Sequence, residues 1–241
     1  MTGSKDSGKE RRRYPRIFLQ GAEGFGSLVG ATAVWPGGEK TDILDLSYTG
    51  AALIKPNVNL ERGSALTLTF HFAGQAQAVT VESKVIRADG RLAAIQIDAL
   101  TPAARLAFET FLNDNLLGLN LRPVSPSNFS QGQDFSHWLH GPKDTNVFAW
   151  KRGDTVEKAI VEIDNQILVW NKGKLAQGRS RQDLISAIED YYSPVLYESV
   201  RAGTDIDRQL LGRVVKILTQ AQEQAPWVKS LLAKLQEHSK A

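Results

Sequence analysis

The chain contains no cysteine among its 241 residues. This absence excludes disulfide bonds, thiolate metal sites and cysteine nucleophiles. Histidine is scarce as well, and the four histidines show no metal-ligand spacing. The only near pair, His137 and His140, lies in a stretch that contains glycine and proline. We therefore interpret this pair as loop histidines and predict neither a metal site nor a resident cofactor.

Long apolar runs are also missing. No segment approaches the ~20 apolar residues that span a bilayer, and the polar segment 1–11 lacks the apolar core of a signal peptide. These two absences predict a cytoplasmic protein without membrane insertion. The hydrophobic content of 42% is nevertheless sufficient for one large packed core or two small ones.

Charge is distributed unevenly along the chain. The formal net charge is +3, but residues 1–16 alone carry six basic and two acidic side chains. A nucleic-acid-binding domain usually spreads its basic charge over a folded face. Here the charge is concentrated in a short arm, which suits a compact anionic ligand better, so we regard nucleic acid as an unlikely partner.

Two short motifs flank the first strand-like segments: Arg12-Arg13-Tyr14-Pro15-Arg16 and Asp45-Leu46-Ser47-Tyr48-Thr49-Gly50. The first motif places two guanidinium groups four residues apart, with a proline stiffening the backbone between them. The second combines a carboxylate, a hydroxyl and a glycine. Guanine presents the acceptors O6 and N7 to a planar arginine fork, and its N1–H and N2–H₂ donors suit a carboxylate. Together the motifs predict a receptor for a guanine nucleotide.

The combination RxxxR followed by DxSxxG, at the entry to a small antiparallel barrel, resembles the PilZ family of cyclic di-GMP receptors over about residues 9–118. The resemblance implies that both arginines contact guanine edges and phosphates. The aspartate and serine hold base and phosphate, and the glycine lets the turn approach the ligand. A cationic residue directly before the motif tends to accompany a stacked pair of ligand molecules. Carried over by position, the implied site is Arg11, Arg12, Arg16, Asp45, Ser47 and Gly50.

Each motif alone has a simpler interpretation. The arginine-rich arm is compatible with a solvated charge run, or with a patch for nucleic acid or anionic membrane. Asp45, Ser47 and Gly50 are compatible with ordinary turn chemistry. Their joint presence favours a cyclic di-GMP receptor, and the absence of a catalytic constellation predicts that it is not an enzyme. The alternative function is a constitutive nucleic-acid- or protein-binding module with a basic arm.

The fold class predicted is mainly β plus α+β. Short strand-like segments with no helix between them predict an antiparallel barrel; they are 17–20, 27–35, 41–46, 51–54, 64–72, 78–86 and 91–97. Thr101 and Pro102 are typical of a helix N-terminus, and this helix ends near Gly118.

Composition predicts four parts: a disordered basic arm (1–10), the PilZ-like barrel domain (11–118), a linker rich in proline, serine and glycine (119–136) and a smaller α+β output domain (137–241). The last part resembles no family that we recognise. We predict three strands there (147–151, 159–164 and 167–171) and three helices (180–202, 204–224 and one from Pro226). Ligand binding would order the arm and signal through this domain, through a protein partner or through self-association.

Overall fold

The computed structural model describes residues 15–19, 30–128, 135–180, 197–202 and 206–239. The predicted disordered arm, Arg11 and Arg12 lie outside the described residues. Within them the chain forms two seven-stranded antiparallel sheets and three α-helices. The predicted combination of a mainly β part and an α+β part is confirmed.

The first sheet closes into a barrel. Its strands are β1 (Ile17–Phe18), β2 (Ala31–Val34), β3 (Lys40–Ser47), β4 (Gly50–Ile54), β5 (Ala65–Phe72), β6 (Val79–Asp89) and β7 (Leu92–Ala99). Six of them pair in the order β3-β2-β5-β6-β7-β4 and return to β3, while β1 is added to β3 as an edge strand. Strand β6 alternates buried and exposed side chains over most of its length, as a strand with one face in the core must. The predicted antiparallel barrel is confirmed.

Helix α1 (Pro102–Leu119) follows the barrel directly. Its N-terminus is capped by Thr101, whose hydroxyl accepts a hydrogen bond from the amide of Ala104. Two of its aromatic rings stack on rings of β5, with centroid distances of 5.9 Å for Phe108 and Phe70 and 4.6 Å for Phe111 and Phe72. These contacts bury one face of α1 in the barrel core.

The second sheet is a simple meander. Its strands are β8 (Arg122–Pro123), β9 (His137–His140), β10 (Asn146–Arg152), β11 (Thr155–Ile163), β12 (Gln166–Asn171), β13 (Lys174–Ser180) and β14 (Tyr197–Ala202), and each pairs with its neighbours in sequence. Helices α2 (Arg208–Ala221) and α3 (Trp227–Ser239) share one hydrophobic core with this sheet. We call the barrel with α1 the first unit, and this sheet with α2 and α3 the second unit.

Part of the secondary structure predicted for the second unit was wrong. The helix predicted over 180–202 does not extend to Ala202, because Tyr197–Ala202 is a strand paired with β13; residues 181–196 lie outside the described part. Strand pairing here prevails over local helix propensity. Arg122 and Pro123, in the segment predicted as a linker, form β8 and pair with β9. The interpretation of His137 and His140 as loop residues was wrong, because they are the two ends of β9 and pair with β10.

The two units meet where α1 packs against α2. A Cβ atom added to Gly118 of α1 would collide with the backbone of Ile217 in α2. Beside this contact Arg213 of α2 donates from Nε to Asp114 of α1 at 3.1 Å, and from Nη2 to Asp164 after β11 at 2.6 Å. The helices therefore approach each other closely, with charged side chains bridging both units.

Lys216 of α2 is buried at the same junction. Its ammonium nitrogen lies 5.3 Å from the centroid of the Phe111 ring. Burial lowers the pKa of Lys216; the nearby carboxylate of Asp114 opposes this effect, and the Arg213 guanidinium adds to it. The junction thus holds a cation whose charged form is penalised by desolvation.

We expect Gly118→Ala to lower the free energy of unfolding by about 1–3 kcal/mol, because the added methyl group overpacks the contact with Ile217. In an unconstrained helix the same change would stabilise the protein by about 1 kcal/mol. Urea unfolding of the full chain shows whether the free energy of unfolding falls or rises. Gly37→Ala is the control, since its added Cβ meets nothing within 4 Å. A stabilising Gly118→Ala would contradict the close helix contact.

We expect Lys216→Met to raise the free energy of unfolding at neutral pH, because it removes a buried cation. The unfolded chain holds the Lys216 proton more tightly than the folded protein. The stability of the wild type therefore rises with pH, from the lowered pKa towards the ordinary lysine value of about 10.4. The variant should show less of this rise. Denaturant unfolding over neutral to alkaline pH measures it, with the exposed Lys229→Met as the control.

Candidate functional site

Strand β1 positions the second arginine of the RxxxR motif. Ile17 pairs with Leu46 of β3, and both side chains are completely buried in the barrel core. Phe18 pairs with Asp45. This register places Arg16, directly before β1, beside the polar end of β3.

Arg16 and Asp45 form an ion pair that joins the two motifs. Nη1 of Arg16 donates to Oδ2 of Asp45 at 3.0 Å, and the arginine side chain is more exposed than the carboxylate. A partly exposed ion pair contributes at most about 1 kcal/mol to stability. Its importance is geometric, because it directs a guanidinium and a carboxylate to the same place.

The other oxygen of Asp45 lacks a donor. Oδ1 is buried, and no described residue donates a hydrogen bond to it. An unsatisfied buried acceptor costs about 1–3 kcal/mol. The Asp45 carboxylate thus has an acceptor oxygen that Arg16 does not use, and acceptors are what the donor edge of guanine requires.

The turn between β3 and β4 is organised by Ser47. Its hydroxyl donates to the carbonyl of Gly50 at 3.2 Å and accepts from the amide of Thr49 at 3.4 Å. Ser47 is two residues after Asp45, so their side chains lie on the same face of β3. The turn chemistry expected of these residues is therefore present, and the Ser47 hydroxyl lies on the same face of β3 as the Asp45 carboxylate.

Gly50 has a packing role that the motif does not reveal. A Cβ atom at this position would lie 2.6 Å from the carbonyl oxygen of Ile95. Gly50 pairs with Gln96 of β7 at the closure of the barrel. Only glycine permits this close approach of β4 and β7, whatever its role towards a ligand.

Two residues close to the site, Phe18 and Gln220, belong to neither sequence motif. The side chain of Phe18 is 61% exposed and, as the cross-strand partner of Asp45, lies on the same face of the sheet. The carbonyl of Phe18 accepts a hydrogen bond from Nε2 of Gln220 in α2 at 2.7 Å. The alternation of side chains along β1 could have predicted that Phe18 is exposed beside the site. No sequence signal, however, connects Phe18 with Gln220, which is 202 residues away.

The structure thus brings Arg16, Asp45, Ser47 and Gly50 together, and Arg11 and Arg12 lie outside the described residues. Within the described ranges no group of three or more His, Asp or Glu side chains could hold a metal ion. Nor is any described helix long and apolar enough to cross a membrane.

Comparison with known proteins identifies the family of the first unit. No curated protein sequence matches the chain significantly. The crystal structure of an uncharacterized Legionella protein, Lpg0364, covers 42% of this chain and 92% of its own, at 15% identity and a TM-score of 0.31. So low a TM-score supports no conclusion about fold or function. The family model of the PilZ domain matches residues 10–114, so this part of the chain belongs to the PilZ domain family.

Proposed function

We propose that this chain is a cytoplasmic, non-enzymatic receptor for cyclic di-GMP. The single observation that carries the proposal is the contact between Arg16 and Asp45, because it joins one residue of each motif at 3.0 Å. The PilZ domain suggests the same ligand. Ser47, the other motif residue on β3, lies on the same face of this strand as Asp45.

The chemistry of these side chains matches the ligand. The Asp45 carboxylate accepts from the N1–H and N2–H₂ donors of a guanine base, and the guanidinium groups of Arg16 and Arg12 bind guanine acceptors and phosphate oxygens. Ser47 holds base or phosphate. The exposed ring of Phe18 adds an aromatic face on which a base can stack, a contact worth about 1–3 kcal/mol in single-stranded nucleic acid complexes.

The basic arm completes the site on binding. Clustered arginines repel one another without a counter-anion, and the ligand phosphates neutralise them. Ordering five or six residues costs roughly 5–10 kcal/mol at 1–2 kcal/mol per residue. Several charge-assisted hydrogen bonds of about 1.5–3 kcal/mol each must exceed that cost. The expected affinity is therefore submicromolar to micromolar. Arg11, directly before the motif, would accompany the binding of two stacked ligand molecules.

The second unit is proposed as the output module. It signals through a protein partner or through self-association. Its contact with the barrel through α1 and α2 supports this proposal, because a change in the first unit can reach α2 without crossing a linker. Allosteric coupling energies are typically about 1–3 kcal/mol, which is enough to change the affinity for a partner severalfold.

We expect Arg16→Ala and Asp45→Ala each to weaken cyclic di-GMP binding more than about tenfold, because each change removes a desolvated partner of the ligand. The matched control is Arg87→Ala and Asp89→Ala. These residues form an ion pair of 2.8 Å whose side chains are 74% and 70% exposed, on β6, opposite β3 in the barrel ring. Calorimetric titration of the full-length variants, with circular dichroism to verify folding, gives the affinities.

Equal losses of affinity for cyclic di-GMP in the site variants and the control variants would mean that the ligand is attracted only by diffuse charge. Titrations with GTP and a short DNA duplex test the alternative function. A constitutive nucleic-acid-binding module would bind DNA with a steep salt dependence and without preference for the cyclic dinucleotide. Failure of the folded wild type to bind cyclic di-GMP at high concentration would reject the receptor function.

Hydrogen exchange tests the output role of the second unit. We expect cyclic di-GMP to slow exchange in residues 8–16, in the turn of the second motif and in α2, because ordering the arm also stabilises the elements that contact β1. GTP at the same concentration is the control ligand. Protection confined to the first unit, without change anywhere in residues 137–241, would show that the second unit does not respond.

A further inference from the structure

One hydrogen bond connects the second unit to the strand that carries the binding site. Nε2 of Gln220, in α2, donates to the carbonyl oxygen of Phe18 at 2.7 Å. Phe18 is the residue of β1 that pairs with Asp45, and it follows Arg16 by two positions. A side chain of the second unit therefore contacts the main chain of the ligand-binding strand directly.

The amide of Gln220 is itself held in place. Gln220 is only 7% exposed, and its Nε2 also donates to Oδ1 of Asn115 in α1 at 3.2 Å. Asn115 in turn donates from Nδ2 to the carbonyl of Phe111 at 2.9 Å. Because an amide nitrogen has two N–H donors, Phe18 and Asn115 satisfy both of them. The orientation of Gln220 is therefore set by the helix pair, and not by β1 alone.

Strand β1 needs such an anchor. It is two residues long, and among the described strands it pairs only with β3. The amide of Leu19 donates to the carbonyl of Leu44 in β3 at 2.9 Å, so the carbonyl of Phe18, one residue earlier, points away from β3. On that edge Gln220 supplies a hydrogen bond that no described strand provides.

We propose that Gln220 is a positioning residue of the ligand site. It holds β1 by the Phe18 carbonyl and so keeps the Arg16 guanidinium beside Asp45. This inference rests on the proposed function, and it makes the binding site dependent on the second unit. Because coupling is reciprocal, a ligand that pulls on Arg16 acts through β1 on Gln220.

The test uses three full-length variants. Gln220→Met keeps the side-chain length and removes the amide. Gln222→Met is the matched control, because Nε2 of Gln222 donates within its own helix, to the carbonyl of Thr219. Arg213→Met removes the ion pairs with Asp114 and Asp164 at the same helix junction. Two quantities are measured: the calorimetric affinity for cyclic di-GMP, and the amide exchange rate of Leu19 without ligand.

We expect Gln220→Met to weaken binding about two- to tenfold, the range for the loss of one neutral hydrogen bond, and to accelerate exchange at Leu19. Gln222→Met should match the wild type in both measurements. Arg213→Met should lower the free energy of unfolding while its affinity stays within about twofold of the wild type, because this arginine does not contact β1. The ligand should also shift the side-chain amide resonances of Gln220.

Wild-type affinity together with wild-type Leu19 exchange in Gln220→Met would overturn the inference. An equal loss of affinity in Arg213→Met would also overturn it, since general loosening of the helix pair would then explain both results. Failure of the wild type to bind would reject the proposed function, and with it the role of Gln220 in ligand affinity. The Leu19 exchange rates would still show whether Gln220 holds β1.

Discussion

The packing of α1 against α2 is the constraint on which the arrangement of the whole chain depends. Helix α1 is covalently continuous with the barrel and stacks on its phenylalanines, while α2 lies in the core of the second sheet. Gly118 lets the two backbones come together at Ile217. Without this approach Gln220 would not reach β1, and the second unit would lose its direct contact with the strand that follows Arg16.

Polar groups make the helix junction specific. Polar side chains face each other across it: the buried Asp114, Asn115, Lys216 and Gln220, and the partly buried Arg213. Burying such groups contributes little net stability, because desolvation offsets most of the attraction. Their partners, however, are matched only in one register of the helices. A slide by one turn would leave a buried amide and a buried carboxylate without partners, at about 1–3 kcal/mol or more for each group.

Local patterns made most of the first unit predictable, and long-range pairing limited the prediction of the second. The barrel strands alternate apolar and polar residues, Thr101 caps α1, and the two motifs lie on elements that could be placed. Strand β13, in contrast, reads Lys-Leu-Ala-Gln-Gly-Arg-Ser, with few β-branched or aromatic residues, and it forms by pairing with β12 across a turn in which Lys172 and Gly173 have positive φ. The resemblance assigned Arg16 and Asp45 to the same site, although it did not predict the ion pair between them. Nor did it predict the contact of Gln220, because only the tertiary fold brings Gln220 to Phe18.

The shortness of β1 suits the two roles proposed for it, which are to carry part of the binding site and to transmit the presence of a ligand. Elements that move on binding are drawn from the least stable parts of a fold, and a two-residue edge strand has few interactions to lose. Ile17 anchors it in the core, Asp45 contacts the preceding arginine, and Gln220 holds its outer edge. Each of these three contacts belongs to a different part of the protein: the barrel core, the second motif and the second unit. In the proposed receptor, a ligand bound to Arg16 and Asp45 would alter the balance among all three contacts, and Gln220 would carry the change to the second unit.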